Sequence, residues 1–370
     1  MALVPLYYLI QLVSLRDKVI LSNHGSLDVQ GTLPKAVDTH LAIEYLRVLC
    51  LLSCFTIAGY SDYSRLIVRD KIWILWSLPA IFLLILDFLI IQLSIWNILM
   101  VFSLISLALP TVFQTPTFDK SNLINFQNLP FLFIYILGTL GFIGGLFNYV
   151  GVDYYSLVFG DENLNATIWW TLLFASLTII IFIYAYKIGL IQGGADIKAL
   201  IWVTILTPSW YFIPKPYIYY NSSIIDYEDV IFQLPPSFVL FLWAGGIFIF
   251  TPPVFLTKNI IKGNIKKISD LKIAWHAIKI PLSEIEGNKL WILSDVIIDK
   301  SGDVLHTTNL FASQKITHND DIIKQIEYLQ EKGLKSAWVT RKHPFVTYLF
   351  IAIIPMFIFG DPVVFMINLL

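Results

Sequence analysis

Two aspartates occupy positions from which carboxylate chemistry is possible. Asp62 falls at the end of the first apolar stretch of membrane-span length, and Asp196 falls at the start of the sixth. Peptide hydrolysis by carboxylates needs two of them close together: the ionised one takes a proton from water while the protonated one donates to the carbonyl oxygen. Repulsion between the like charges separates the two ionisations, and the pair titrates as a unit. The acid and base roles therefore stay unassigned.

Small residues directly precede the second aspartate, in the run Gly193-Gly194-Ala195-Asp196. An extended substrate backbone can approach residues that have no Cβ. Asp196 can also cap the helix that follows it, where the helix dipole favours a carboxylate. Taken singly, Asp62 is a polar end of a span, Asp196 a helix N-cap and the glycines a flexible joint. Their combination on one predicted membrane face favours a catalytic function.

The elements that must bring these residues together are membrane helices. The 370 residues are 57% hydrophobic and only 14% charged, against about 25% charged in soluble domains. Several apolar runs reach the roughly 20 residues that a helix needs to cross a bilayer. We predict an all-α polytopic membrane protein with about eight transmembrane helices, at 42–60, 72–93, 95–112, 130–150, 167–190, 197–213, 236–256 and 345–360.

Loop charges predict the orientation of these spans. Every second loop carries Lys and Arg, for example 65–71 and 258–272, whereas 151–165 and 216–232 are acidic and have none. Basic loops stay in the cytoplasm, so both aspartates are expected at the cytoplasmic face and residues 1–41 outside. Four basic residues before position 48 oppose the outside assignment. A formal net charge of −1 gives no reason to expect nucleic-acid binding.

The sequence divides into four parts on this interpretation. Residues 1–41 form an N-terminal segment, 42–256 a membrane core with both aspartates, and 344–370 a C-terminal transmembrane helix. Residues 257–343 are polar and predict a small cytoplasmic α+β insert. Within it we expect strands at 273–280 and 290–298 and an amphipathic helix at 319–331 that is capped near Gly333.

Several motifs resemble those of the archaeal type IV prepilin and preflagellin peptidases, which belong to the GxGD membrane aspartic peptidases. Gly193-Gly194-Ala195-Asp196 is similar to the G-x-hydrophobic-D motif, and the following Lys198-Ala199-Leu200 is similar to its archaeal form. Asp62, Val68, Asp70 and Trp73 have the family spacing around the first inside loop. The C-terminal matches are Ala337-Trp338-Val339-Thr340, Pro344-Phe345 and Phe359-Gly360-Asp361.

The chain departs from the family pattern in three ways, one of which is that Arg69 stands where proline is common. Its basic residue, Arg65, follows the first aspartate by three positions instead of four, so that Leu66 occupies the usual basic position. Four spans are predicted between the aspartates instead of two. An added pair of spans leaves Asp196 on the same side of the membrane, so the expected mechanism is retained.

The resemblance implies an endopeptidase that cleaves pilin-like or flagellin-like precursors between a short basic leader and the hydrophobic helix. Water is the nucleophile, and no cofactor or metal is implied. The zinc-cysteine methylation domain of bacterial relatives has no counterpart, so no N-methyltransferase activity is expected. The implied partners are the precursors and membrane lipid. The implied catalytic residues are Asp62 and Asp196, supported by Gly193, Gly194, Ala195, Asp70 and Lys198.

Other interpretations stay open at this point. Asp70 is either the N-cap of the second span or a supporting residue, and Lys198 is expected to reach toward lipid phosphates. Asp361 is expected at the opposite membrane face. Cys50 and Cys54 are interpreted as packing residues on one helix face. Paired carboxylates also occur in proton-coupled transporters, and a non-catalytic scaffold is a third possibility.

Overall fold

The structure is a computed structural model. It describes residues 33–113, 128–152, 163–191, 193–217, 234–285, 290–298, 304–309, 319–341 and 343–369. Most of the predicted N-terminal segment and most of the two acidic loops lie outside the described residues. The chain divides into two compact units, one made of residues 1–244 and 345–370 and the other of residues 245–344.

Helices form most of the first unit. Their bounds are α1 Leu33–Arg65, α2 Asp70–Ile90, α3 Ile95–Val112, α4 Leu129–Tyr149, α5 Leu164–Lys187, α6 Gly194–Leu206, α7 Pro236–Ile249, α11 Phe345–Phe359 and α12 Pro362–Leu369. A short 3-10 turn, Trp210–Phe212, follows α6. Helix α7 continues after Phe250 as α8, Thr251–Ile261.

Six helical stretches within the described residues are long and apolar enough to cross a membrane. They comprise α1 from Thr39, α2, α3, α4, α5 and the joined α7 and α8. These six helices confirm the expectation of a polytopic, mainly helical membrane protein, but not the predicted number of spans. The remaining two predicted spans correspond to α6 and α11, whose 13 and 15 residues fall short of the roughly 20 that a bilayer requires. The count of eight therefore stays a prediction.

Helix α6 lies at the centre of the first unit. It contacts α1, α2, α3, α5 and α11, and its side chains at Ile197 and from Ala199 to Leu206 are buried. A helix that is apolar on every side has no face to expose to water. Its neighbours therefore surround it, and they define the position of its first turn, which contains Asp196.

The closest helix pair in this unit is α3 with α4. Glycines on α4 face α3, and a Cβ built at Gly141 would overlap the backbone of Leu99 and Met100. Ser103 Oγ donates a hydrogen bond of 3.0 Å to the carbonyl of Gly138 across the same interface. Small residues at these positions let two backbones approach, as is typical of helix pairs in membranes.

We predict that Gly141→Ala destabilises the protein by about 1 to 3 kcal/mol, because backbone atoms cannot yield as a flexible side chain can. Gly245→Ala is the matched control, since a Cβ there meets nothing within 4 Å. Thermal unfolding in detergent measures both variants. Equal melting temperatures for the two would contradict the proposed tight contact of α3 and α4.

The second unit contains a small sheet with a helix on each face. Strand β5, Ser336–Arg341, pairs antiparallel with β1, Ile278–Pro281, and with β2, Leu290–Ile292. A separate hairpin pairs β3, Ser294–Ile298, with β4, Val304–Thr308. Helix α10, Asn319–Glu331, packs on one face through Ile326 and Leu329. Helix α9, Ile268–Ala274, packs on the other face through Ile273 and Ala274.

The prediction for this region is correct in part. Helix α10 has the predicted bounds, and Gly333 adopts a left-handed φ of 82° directly after it, where glycine is the preferred residue. The predicted strand 273–280 is wrong in its first half, because Ile273 and Ala274 end helix α9. The backbone N–H groups of Lys266 and Lys267 bind the Asp270 carboxylate and cap that helix, which the apolar pattern did not indicate.

Candidate active site

Asp62 lies in the last turn of α1 and is buried. The backbone N–H of Thr347, near the start of α11, donates to its Oδ2 at 3.3 Å. The hydroxyl of Thr347 donates to the carbonyl of Gly59 at 3.0 Å. The end of α1 is therefore attached to the beginning of α11, and the carboxylate points into the protein.

The turn after Asp62 has an unusual backbone. Leu66 has a φ of +55°, a conformation that costs free energy in a branched residue and that clusters at functional sites. Its N–H binds the carbonyl of Asp62, and Ser61 Oγ binds the carbonyl of Ile67. These bonds hold a short connection from α1 to α2.

Asp196 is the third residue of α6 and is half-buried. The N-cap of this helix is Gly193, so the interpretation of Asp196 as the N-cap itself is wrong by three positions. The dipole argument holds at its actual position, because the positive end of the helix extends over the first turn. Its carboxylate folds back over Gly193, whose added Cβ would come within 2.6 Å of the Asp196 Cγ.

An aromatic cluster fixes the positions of the two aspartates relative to each other along the helix axes. The rings of Phe55 on α1, Trp73 on α2 and Trp202 on α6 have centroids 6.0 to 6.5 Å apart. Along their helices, Asp62 is about 10 Å beyond Phe55 and Asp196 is about 9 Å before Trp202. Helix α2 begins where α1 ends and runs in the opposite direction. The aromatic cluster therefore packs between helices of opposite direction.

An ion pair shows that α2 and α6 begin at the same end. Lys198 Nζ on α6 binds Asp70 Oδ1 in the first turn of α2 at 2.6 Å. Because α1 ends where α2 begins, Asp62 and Asp196 both lie at this end of the helix cluster. The expectation that Lys198 extends toward lipid phosphates is wrong, because its ammonium is bound to Asp70. Asp70 is not an N-cap either, since Arg69 occupies that position.

The two glycines of the motif have different surroundings. Gly193 is covered by the carboxylate of Asp196, whereas a Cβ on Gly194 would meet only the Tyr186 hydroxyl oxygen at 3.7 Å. Ala195 is the second residue of α6. Gly193 is therefore needed for the position of the aspartate itself. The role expected from sequence, a close approach of substrate backbone, is open to Gly194.

We predict that Gly193→Ala moves the Asp196 carboxylate without unfolding the protein, because a side-chain end can rotate away where a backbone cannot. Any activity that depends on Asp196 should fall by at least tenfold, since small displacements of reacting groups are costly. Gly246→Ala is the matched control, because a Cβ there meets nothing within 4 Å, and it should retain activity. An unchanged activity in Gly193→Ala, at unchanged melting temperature, would contradict the geometry.

Asp361 lies at the far end of α11. It is about 20 Å along the helix axis from Thr347, the residue that binds Asp62. Its carboxylate accepts the N–H groups of Val363 at 2.8 Å and Leu234 at 3.1 Å. The structure therefore separates Asp361 from the other two aspartates and gives it helix-capping contacts.

A second buried ionisable cluster, the His40 cluster, was missed by the sequence prediction. It comprises His40, Glu44 and Arg47 on α1 and Asp87 on α2. Arg47 Nη2 binds Asp87 Oδ2 at 2.9 Å, and His40 Nδ1 binds Asp87 Oδ1 at 2.7 Å. Glu44 Oε1 is 3.5 Å from His40 Nε2. Ionisable residues inside apolar spans are rare and are usually partnered, which is the signal that could have indicated the cluster.

The His40 cluster belongs to the opposite end of α1. Arg47 precedes Asp62 by about 22 Å along the helix, and its side chain is fully buried, as is that of Asp87. The guanidinium also donates to the carbonyls of Phe212 and Leu83, at 3.3 and 3.2 Å, and lies over the Phe212 ring. Arg47 therefore joins α1, α2 and the 3-10 turn after α6.

We predict that Asp87→Asn costs about 3 to 5 kcal/mol of stability, because it leaves a buried cation without its counter-charge. Asp70→Asn is the matched control at a half-exposed pair, where the loss should be about 0 to 1 kcal/mol. Chemical or thermal unfolding in one detergent compares the two. A loss in Asp87→Asn no larger than in Asp70→Asn would show that the buried pair contributes little.

Comparison of the chain with known protein families and with curated proteins finds no match. The resemblance to prepilin peptidases is therefore carried by the short motifs and by the arrangement of the residues within them.

Proposed function

We propose that this chain is a membrane aspartic endopeptidase that removes the short leader peptide of archaeal type IV pilin-like or flagellin-like precursors. The observation that carries the proposal is that Asp62 and Asp196, which match the two aspartate motifs of that family, lie at one end of the cluster of α1, α2 and α6. Each comes from a helix end next to a non-helical segment, where an extended substrate could approach both.

The proposed chemistry uses water and the two carboxylates. One carboxylate removes a proton from water, and the other donates its proton to the carbonyl oxygen of the scissile bond. This chemistry requires the two carboxylates to share one proton, so that one acts as the base and the other as the acid. Asp70 and Lys198 are proposed to hold the starts of α2 and α6 together, and thereby to position Asp196.

The proposal includes eight membrane crossings, with the aspartates and residues 257–343 on the cytoplasmic side. Helix α6 can still form a crossing together with the residues that follow it. Residues after α6 stay buried, including Thr207, Trp210, Phe212 and Ile213, and irregular backbone is tolerated at membrane depth where protein surrounds it. Counted from Gly194 to Ile213, this stretch reaches the roughly 20 residues of a crossing.

We predict that Asp62→Asn and Asp196→Asn each abolish processing, with a rate loss of at least about 100-fold, because each removes an acid–base group. Purified protein and a prepilin-like precursor are combined in proteoliposomes, and the shortening of the precursor is followed by gel electrophoresis. Asp361→Asn is the matched control: the same chemical change at a buried aspartate, where the asparagine oxygen can still accept the capping N–H of Val363.

Wild-type cleavage with retention in Asp361→Asn and loss in both other variants supports the proposal. Cleavage that persists in either Asp62→Asn or Asp196→Asn excludes the dyad. Absence of cleavage by the wild-type protein, together with a proton flux across the vesicle membrane, would instead favour a proton-coupled transporter. The observation in favour of that alternative is the His40 cluster, since buried ionisable groups within spans often mark proton pathways.

A further inference from the structure

Helix α9 exposes an apolar face on the outside of the second unit. Ile268 is 85% exposed, and Leu271 and Trp275 are 39% and 44% exposed. Their spacing of three and four residues puts them on one side of the helix. The opposite side, with Ile273 and Ala274, is the one that packs on the sheet. The outward face is therefore apolar where an ordinary surface helix would be polar.

Lysines surround this face. Lys262, Lys266, Lys267 and Lys272 are all exposed. Between positions 257 and 280 the sequence holds six lysines and one acidic residue, Asp270, whose carboxylate binds the backbone at the start of α9. From 281 to 343 acidic and basic residues are nearly balanced. Positive charge in this unit is therefore concentrated next to the exposed apolar side chains.

The chain itself brings this face close to an apolar helix end. Helix α8 ends the stretch Pro236–Ile261, which is long and apolar enough to cross a membrane. Its last residues, Ile260 and Ile261, are 60% and 79% exposed. Six residues lie between Ile261 and Ile268, so the face can lie at most about 25 Å, seven extended residue steps, from that helix end.

We propose that the face formed by Ile268, Leu271 and Trp275 docks onto the bilayer surface and binds anionic lipid headgroups through Lys262, Lys266, Lys267 and Lys272. Apolar side chains enter the boundary between headgroups and acyl chains, and tryptophan favours that depth. The lysines remain among anionic headgroups, which attract basic segments next to spans. A bilayer with anionic lipid offers an apolar environment to the three apolar side chains and negative charge to the lysines. The inference is independent of the proposed peptidase activity.

The sheet supplies an internal control for this proposal. On β5, Trp338 faces the α9 side, whereas its neighbours Ala337 and Val339 face α10. Helices α9 and α10 therefore cover opposite faces of the sheet. Glu327 on α10 is exposed, and a label there should remain in water when α9 lies on the membrane.

The test uses the full-length chain with Cys50 and Cys54, both buried in α1, replaced by alanine. An environment-sensitive fluorophore is attached at Ile268→Cys, at Leu271→Cys or at the control Glu327→Cys. Each protein is reconstituted into phosphatidylcholine vesicles with or without phosphatidylglycerol. Quenching by brominated acyl chains reports contact with lipid, and quenching by iodide reports contact with water.

We expect brominated lipid to quench the labels at 268 and 271 at least twofold more than the label at 327 in anionic vesicles, with the reverse order for iodide. Lys266→Glu with Lys267→Glu should bring the label at 268 to the value found at 327. Equal quenching at all three positions overturns the proposal. Protection from iodide without lipid quenching also overturns it, because a protein surface then covers the face. An unchanged signal in the double lysine variant excludes anionic headgroups as the ligand.

Discussion

Helix α6 is too short to cross a bilayer, and the backbone after it, from Thr207 to Ile213, leaves the helical conformation while still buried. Polar backbone groups in such a segment have no water to bind, so the protein has to supply their partners. Ser209 Oγ accepts the N–H of Tyr211, and Arg47 donates to the carbonyl of Phe212. A buried arginine needs an anion, which Asp87 provides.

This constraint connects the two ends of the first unit. Arg47 and Asp87 hold the irregular segment at one end, and the Lys198–Asp70 pair holds the start of α6 at the other. Between them, Phe55, Trp73 and Trp202 pack α6 against α1 and α2. A helix fixed at both ends cannot slide along its axis, so these contacts determine the position of Asp196 relative to Asp62 along that axis.

Apolar length was sufficient to predict the long helices, and α3 has the predicted bounds at both ends. Contacts between side chains on different helices could not be predicted from apolar length. Lys198 was expected among lipid headgroups because nothing in its local sequence indicates Asp70, which belongs to another helix. Arg47 and Asp87 are likewise separated along the chain, and each alone resembles an isolated charge in an apolar run. The last two residues of α9, Ile273 and Ala274, were assigned to a strand, because the cap of this helix is formed by one carboxylate and cannot be seen in an apolar pattern.

The two ends of α1 combine charges in different ways. The His40 cluster combines opposite charges, whereas the proposed dyad combines like charges. In the His40 cluster the Arg47 cation meets the Asp87 anion, and a buried ion pair is stable only when charge and hydrogen bonds are matched in this way. A hydrolytic pair has the opposite requirement, because two carboxylates share one proton only if their repulsion is retained. The basic residue nearest to Asp196 in sequence, Lys198, directs its ammonium to Asp70. That choice of partner lets one lysine hold the start of α6 against the start of α2, and it directs the lysine charge at Asp70.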